Sequence, residues 1–203
     1  MTVYDPKAND GNALLACRVS PTSSPNSVNG QTQATATCSI AGHGTEGSPC
    51  MTSDDCASTF ECAGAGVCRH YCCRGDVSCG NETFCDVQPI TGSASVKVPV
   101  CMPLVHAGCT LLDPTSCDAG QTCSVVRADG TTACVDVGSA KAGDSCETDH
   151  CARDLVCLGF GATMRRCYQL CETNSNYGTQ CPMSTSCQST LPLFQDPSFG
   201  ICQ

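Results

Sequence analysis

The chain has 203 residues, a net charge of −9 and 23 cysteines, which is about 11% of the sequence. Leu, Ile, Val and Phe together contribute only 33 residues, or 16%, and a charged chain with so few of them is expected to stay unfolded unless cross-links hold it. This composition excludes an ordinary single-core globular enzyme and predicts a disulfide scaffold. The acidic balance also argues against binding to nucleic acid or to an anionic lipid surface.

The cysteine content predicts an oxidising compartment, so we expect an extracellular, cell-surface or periplasmic protein. No run of residues approaches 18 consecutive apolar side chains, and we therefore expect no transmembrane segment. The first dozen residues are polar and lack the apolar core of a signal peptide, which suggests a mature or trimmed form or a misplaced start. The run Leu14-Leu15-Ala16-Cys17 resembles a lipoprotein cleavage box, but without that apolar core a chance match is the better interpretation.

Residues 1–49 form a polar N-terminal arm. The stretch 18–49 is rich in Ser, Thr, Asn, Gln, Gly and Pro, a composition typical of a flexible tether, here to a membrane or surface. Cys17 and Cys38 bracket most of this stretch and could close it into a loop. The alternative to a plain tether is an arm that becomes ordered only against another subunit or an anchoring partner.

From residue 50 onward the cysteines are periodic. Five pairs enclose five residues each, and every pair has one cysteine before it and one after it, which is the pattern of a repeated small element. The five four-cysteine units, numbered one to five in chain order, are Cys50, Cys56, Cys62 and Cys68; Cys72, Cys79, Cys85 and Cys101; Cys109, Cys117, Cys123 and Cys134; Cys146, Cys151, Cys157 and Cys167; and Cys171, Cys181, Cys187 and Cys202.

Two pairs of units are joined by only three residues, so they form two copies of an eight-cysteine module. The predicted domains after the arm are a first module (50–101), a single unit (102–142) and a second module (143–203), whose openings GSPCMTSDDC and GDSCETDHC match. Three cysteines remain as candidates for unpaired or intermolecular thiols, and they are Cys17, Cys38 and Cys73.

The stretch between the third and fourth cysteines of a unit has the pattern of a β-hairpin. In unit three, valine and threonine pairs flank an Asp129-Gly130 turn that favours positive φ. In unit two, Val96, Val98 and Val100 alternate and are predicted to share one face. We expect a small disulfide-rich fold of tandem short β-hairpin units with irregular loops, little or no helix, and an elongated form.

Four cysteines allow three pairings, and the sequence alone does not choose among them. Bonding within each five-residue pair would close a tiny loop and leave the unit unlinked to its hairpin. Interlaced pairing, first to third and second to fourth, is common in tandem four-cysteine hairpins and would join Cys109 to Cys123 and Cys117 to Cys134.

Metal and cofactor sites are not predicted. Zinc sites use closely spaced cysteine pairs such as C-x2-C, and the sequence contains neither C-x-C nor C-x2-C. The nearest cluster is Cys68, His70, Cys72 and Cys73, for which disulfides are the better interpretation.

Two acidic loops and four histidines are the remaining candidates for chemistry. Asp54-Asp55 and Glu147 with Asp149 lie in equivalent loops, where a calcium ion or local Asx-turns would use the carboxylates. The four histidines lie in predicted loops and no G-x-S-x-G motif is present, so we predict no catalytic residues and no enzyme activity.

The segment CMTSDDCASTFECAGAGVCRHYC resembles the cysteine-rich repeats of Dickkopf-type and colipase-like modules. Residues 39–203 are also similar to cysteine-rich secreted or lipoprotein-type proteins of myxobacteria and their relatives, in segments such as SDDC, CRHYCC, DAGQTC and CYQLC. These resemblances imply a secreted, disulfide-stapled architecture. They imply no mechanism and bring no receptor-binding residues to positions of this chain.

The function expected from these features is structural or binding, such as a component of a surface assembly, filament or adhesin, with a protein partner or self-assembly. Exposed strand edges of small hairpins can pair with another chain. The alternative is a secreted inhibitor or toxin-like effector that presents a stapled loop. Its candidate loop, residues 188–200, contains Leu191, Leu193, Phe194 and Phe199, and these side chains could instead form a local core.

Overall fold

The computed structural model describes residues 2–4, 14–22, 33–72, 79–159, 164–174, 181–189 and 194–203. Within them the chain consists of short antiparallel strands and one 3-10 turn, Ser53–Asp55. The strands are β1 (Thr2–Tyr4), β2 (Leu14–Thr22), β3 (Gln33–Ile40), β4 (Phe60–Ala63), β5 (Val67–His70), β6 (Thr83–Ile90), β7 (Ser93–Pro103), β8 (Gln121–Val125), β9 (Thr132–Asp136), β10 (Leu155–Leu158), β11 (Arg166–Glu172), β12 (Cys187–Gln188) and β13 (Phe199–Cys202). The small, disulfide-rich, nearly all-β fold that the sequence predicts is confirmed.

The chain divides into two compact halves, residues 1–102 and 103–203. The N-terminal half contains a three-stranded sheet in the order β1-β2-β3 and a four-stranded sheet in the order β5-β4-β6-β7. The C-terminal half contains the β8-β9 hairpin and a four-stranded sheet in the order β10-β11-β13-β12. Each half therefore combines one eight-cysteine module with one smaller element that precedes it in the chain.

The hairpins fall between the third and fourth cysteines of the units, as predicted. These two cysteines are direct cross-strand neighbours in four units, with the pairs Cys62↔Cys68, Cys123↔Cys134, Cys157↔Cys167 and Cys187↔Cys202. Fixing this register fixes which side chains point inward, because a slip of one residue would reverse every face of the hairpin.

The predicted alternation in unit two is also confirmed. Val96, Val98 and Val100 are buried on β7 and pack with Ala63 and Ile90 as the core of the first module. In strand β7 every second side chain points to the same face, so the three valines share the inner one.

The turn of unit three lies at Asp129-Gly130, as predicted. Gly130 has a φ of 85°, a backbone conformation that favours glycine. The Asp129 carboxylate accepts the N–H of Thr131 at 2.9 Å, which closes the turn locally.

The two modules open with the same backbone hydrogen bonds. In the first, the Gly42 N–H donates to the Cys56 carbonyl and the Gly47 N–H to the Cys68 carbonyl, each at 2.9 Å. In the second, Gly138 and Gly143 donate to the equivalent carbonyls of Cys151 and Cys167, at 2.9 and 2.8 Å. Both modules thus begin before their first cysteine, at Gly42 and Gly138.

Glycine is required at these two starting positions because the backbones approach closely. A Cβ on Gly138 would lie 2.0 Å from the His150 carbonyl oxygen, and one on Gly42 would lie 2.3 Å from the Asp55 carbonyl oxygen. Backbone atoms cannot move aside as the end of a flexible side chain can, so the contact tolerates no side chain.

We predict that Gly138→Ala lowers the stability of the C-terminal half by about 1–3 kcal/mol, because the added methyl group forces the opening segment away from Cys151. Denaturant midpoints measured with the disulfides intact will test this. The matched control is Gly80→Ala, where the nearest atom to the added Cβ is 4.0 Å away. Equal stability of the two variants would contradict the prediction.

The sequence suggested that unit three stands alone. In the structure it shares a core with the second module. Leu111 and Val125 of unit three are buried in one cluster with Val156, Leu158 and Leu170 of the second module. Phe194 and Ile201 of unit five complete this cluster. The burial of these scattered apolar side chains joins residues 103–203 into one compact half.

The prediction of a flexible N-terminal tether is wrong for residues 14–22 and 33–40. These residues form strands β2 and β3, which pair from Leu15↔Ile40 to Thr22↔Gln33. A disulfide between Cys17 and Cys38 joins the two strands where they face each other. We call β2 and β3 the N-terminal hairpin. The sequence did not reveal it because β3 alternates alanine with threonine and contains few large apolar residues.

Candidate functional site

The disulfides are the first candidate site. Of the three pairings that the sequence left open, every unit has the interlaced one, first to third and second to fourth cysteine. The ten bonds are Cys50–Cys62, Cys56–Cys68, Cys72–Cys85, Cys79–Cys101, Cys109–Cys123, Cys117–Cys134, Cys146–Cys157, Cys151–Cys167, Cys171–Cys187 and Cys181–Cys202. Each unit thereby ties its hairpin to the loop before it.

Interlacing brings the sulfur atoms of each unit together. In unit one the Sγ atoms of Cys50, Cys56 and Cys68 all lie within 4.8 Å of one another, and the other four units repeat this arrangement. Every one of these sulfurs is bonded to another sulfur, and a metal requires the thiolate instead. In the oxidised protein the clusters are therefore cross-links.

The structure shows the bonding of two of the three remaining cysteines. Cys17 and Cys38, predicted as candidates for unpaired or intermolecular thiols, are bonded to each other, because the hairpin places them directly opposite. The lipoprotein-like run 14–17 lies in strand β2, and its cysteine sulfur is occupied by this disulfide. Cys73 lies outside the described residues.

The predicted cluster around His70 also consists of cross-links where the structure describes it. Cys68 is bonded to Cys56 and Cys72 to Cys85, so neither offers a thiolate. The disulfide interpretation of these two cysteines is confirmed.

Alkylation of the native, unreduced protein should modify at most one cysteine, because 22 of the 23 are paired in eleven disulfides. Intact-mass spectrometry before and after reduction will count the adducts, and elemental analysis of the same sample should find no stoichiometric zinc. Several adducts on the native protein, or bound zinc, would contradict the cross-linked scaffold.

The acidic loops use their carboxylates locally. The Asp55 carboxylate accepts the N–H groups of Met51 and Thr52, at 2.8 and 2.9 Å. The bond from Thr52, and after it the bond from Met51, lower the pKa of Asp55. These bonds therefore stabilise the fold at pH values above the ordinary pKa of an aspartate, and this stabilisation is lost as the pH falls through the lowered pKa. In the second module Asp149 accepts the hydroxyl of Ser139 at 2.6 Å. Asp55 thus accepts local backbone N–H groups, as predicted, but in the capping box of the 3-10 turn and not in an Asx-turn, whereas Asp149 bonds to a residue ten positions before it.

The candidate inhibitory loop contributes its aromatic side chain to the core. Phe194 is buried in the cluster of the C-terminal half, and Phe199 packs against that cluster. Leu191 and Leu193 lie outside the described residues. Phe194 is therefore withdrawn from any partner, which corresponds to the local-core interpretation of this segment.

A second candidate site was missed by the sequence analysis. It is a buried polar cluster between the N-terminal hairpin and the first module, formed by Arg18, Glu61 and Tyr71. The Glu61 side chain is fully buried, and its carboxylate accepts the hydroxyl groups of Ser53 and Tyr71 and, at 3.0 Å, the N–H of Cys62. Three donors around one carboxylate compensate for the loss of its water shell.

Arg18 reaches into the module from strand β2. It is 2% exposed, and its Nη2 donates to the carbonyls of Cys56 and Ala57, the latter at 3.1 Å. Its Nη1 lies 3.9 Å from the Asp54 carboxylate, and within the described residues neither Nη1 nor Nε has a hydrogen-bond partner. A buried donor without a partner costs about 1–3 kcal/mol, so this contact is only partly satisfied.

Tyr71 joins the hairpin to Glu61. Burial is the main cause that raises the pKa of Tyr71, and the hydrogen bond to Glu61 and the charge of Glu61 raise it further. The Tyr71 hydroxyl therefore stays protonated and donates to that carboxylate. A backbone hydrogen bond from Val19 also reaches the tyrosine. Val19 packs at the same time against the valine core of the first module.

The repeat contains the signal that would have revealed this cluster. The residue before the third cysteine is buried in units one to four, as Glu61, Phe84, Thr122 and Val156. A glutamate at a position that is otherwise occupied by apolar residues or threonine requires donors around it. Aligning the units by their cysteines would have marked Glu61.

The second module has an apolar version of the same face. Val156 occupies the position of Glu61, one residue before the third cysteine, and Leu170 that of Tyr71, one residue before the fifth. Both belong to the buried cluster that contains Leu111 and Val125 of unit three. Each module thus receives the element that precedes it on one equivalent face, with polar contacts in the N-terminal half and apolar contacts in the C-terminal half.

The sequence matches no protein-family model, and neither a curated protein nor a solved structure matches it. Within the described residues, no helix is long and apolar enough to cross a membrane. The fold and its cross-links define the class of protein, which is a disulfide-rich β protein built from interlaced four-cysteine units, and its many disulfides fit an oxidising environment.

Proposed function

We propose that this protein is an extracellular or cell-surface structural or binding protein, a component of a surface assembly, filament or adhesin, with no catalytic role. The observation that carries the proposal is the repetition of the interlaced unit five times, with ten disulfides in place of a large core. A protein held by cross-links resists unfolding where conditions are harsh and no chaperone can repair it.

The surface of the chain supports a binding role through protein contacts. Large side chains that are exposed in the described residues include Ile40, Met51 and Met183, which are 63%, 84% and 98% exposed. Met51 follows the bonded Cys50, and Met183 lies two residues after the bonded Cys181, so the cross-links hold both on the surface. Flexible methionine side chains adapt to varied partner surfaces.

Oxidatively folded full-length protein should form species larger than the 20.9 kDa monomer as its concentration rises. Sedimentation velocity will measure their size and negative-stain electron microscopy their form. A protein that stays monomeric at all concentrations and binds a protease tightly in a 1:1 complex would overturn the proposal in favour of a secreted inhibitor.

A further inference from the structure

The N-terminal hairpin is a separately closed element. Its own disulfide, Cys17–Cys38, joins its two strands, and among the described cysteines no disulfide links it to the first module. Its last strand ends at Ile40, and the first backbone bond of the module begins at Gly42. A single residue, Ala41, therefore separates the two elements.

Polar contacts hold this hairpin in place. Arg18 donates to the carbonyls of Cys56 and Ala57, the Ser39 hydroxyl donates to the Asp54 carboxylate, and Val19 adds an apolar contact with the valine core. Two nitrogens of the buried guanidinium have no partner within the described residues. The contact is specific in geometry but incompletely satisfied, which is the character of an interface that can open.

The equivalent contact of the C-terminal half is of a different kind. There Leu111 and Val125 of unit three share a buried apolar cluster with Val156 and Leu170. Apolar burial of this kind is favourable without the directional demands of a buried guanidinium. The polar contact between the N-terminal hairpin and the first module is therefore better suited to opening and re-forming with another molecule.

The distribution of charge along the chain favours self-association through the N-terminal hairpin. The whole chain carries a net charge of −9, so two copies repel each other over most of their surface. Between residues 11 and 45, Arg18 is the only Asp, Glu, Lys or Arg. The hairpin is therefore a part of the chain that a second acidic copy can approach without like-charge repulsion, and its one charge is positive.

From these observations we propose that the N-terminal hairpin is exchanged between copies of this chain, and that it docks its Arg18 on the Cys56 and Ala57 carbonyls, beside Asp54, in the first module of a second copy. The proposal rests on the self-assembly that the proposed function includes and names its surface and its partner. The contacts are those already described, made between two molecules instead of within one. The one-residue connection, Ala41, favours such exchange, because a short hinge limits how the hairpin can be placed against the module of its own chain.

The exchanged contact is heterologous, because the hairpin of one copy meets the module of the next. Such a contact closes into a ring or a swapped dimer when its rotation allows, and otherwise continues as an open filament. Each copy both donates a hairpin and accepts one, so assembly needs no further component.

Charge reversal on the two sides of the contact separates exchange from docking within one chain. Arg18→Glu alters the donated hairpin, and Asp54→Arg alters the accepting module at a side chain that is 65% exposed. We expect each variant alone to form about tenfold less of the large species than the wild type, because like charges then face each other. Asp118→Arg, at a side chain that is 80% exposed in the C-terminal half, makes the same charge change and should assemble normally.

The decisive sample is an equimolar mixture of Arg18→Glu and Asp54→Arg, refolded together and analysed by sedimentation velocity. In this mixture an unaltered hairpin can meet an unaltered module, and the introduced glutamate can meet the introduced arginine, so exchange predicts that the large species return. Intact mass will confirm the disulfides and circular dichroism the fold of each variant. For a variant that fails either check, the milder Arg18→Gln and Asp54→Asn replace the charge reversals.

The outcomes distinguish this proposal from the proposed function. Wild-type protein that remains monomeric at all concentrations overturns the exchange, and it overturns the proposed function as well when it binds a protease tightly in a 1:1 complex. Wild-type assembly that Arg18→Glu and Asp54→Arg leave unchanged overturns the hairpin as the contact and leaves the proposed function standing. Assembly that both variants weaken but their mixture does not restore shows that the hairpin docks only within its own chain, and overturns the exchange.

Discussion

Full reduction should unfold this protein completely rather than lower its melting temperature. The ten disulfides of the units close loops with sequence separations between 11 and 22 residues. Each such bond contributes on the order of 3 kcal/mol by limiting the unfolded chain, while the net stability of a domain is only about 5–15 kcal/mol. The four small cores of the described residues, two of them made largely of cysteine, cannot replace that contribution.

Circular dichroism and limited proteolysis before and after treatment with a strong reductant will measure the loss. The matched control is the double variant Cys17→Ser/Cys38→Ser, which opens only the disulfide of the N-terminal hairpin and should leave both modules folded. Strand signal and protease resistance that survive reduction would mean that packing, and not cross-linking, holds the chain.

The cysteine spacing was sufficient to predict the local fold. An inner gap of five residues with variable outer gaps indicated a repeated hairpin, and in four units the third and fourth cysteines face each other across it. The alternation of Val96, Val98 and Val100 was equally informative, because in a strand every second side chain points to the same face. These features depend on neighbours in the sequence, which a pattern can reveal.

The missed features depend on contacts between distant residues. Nothing near Leu111 or Val125 indicates that they share a core with Val156, since such pairing is set by how separate hairpins dock. The polar composition around Arg18 predicts a solvated arm, because arginine is seldom fully buried. Its burial follows from the backbone carbonyls of Cys56 and Ala57, which lie 38 and 39 residues further along the chain and whose direction is decided by the disulfide loop.

Replacement of Glu61 should destabilise the first module and release the hairpin docked on it. Glu61→Val removes the acceptor of Ser53 and Tyr71 and leaves their partly buried hydroxyl groups without that partner. Each buried hydroxyl group left without its acceptor costs about 1–3 kcal/mol. Hydrogen exchange along residues 14–22 and 33–40, together with the denaturant midpoint at intact disulfides, will report the loss of the docked hairpin. The control is Glu46→Val, at a side chain that is 41% exposed, which removes an ion pair with Arg69 worth about 0–1 kcal/mol and the acceptor of the His70 N–H.

The second module indicates how the same face can be made without charge. The triple variant Arg18→Leu/Glu61→Val/Tyr71→Leu gives the first module the residue types found at 156 and 170 in the second and removes the guanidinium with its two unpartnered nitrogens. Because apolar residues of similar size often replace a buried charged group at no net cost, we expect this variant to recover the stability that Glu61→Val loses. If Glu61→Val costs no more than Glu46→Val, or if the triple variant is less stable than Glu61→Val, the cluster does not hold the hairpin to the module. The triple variant lacks Arg18, so a stable docked hairpin in it would separate the energy of docking from the charge that directs it.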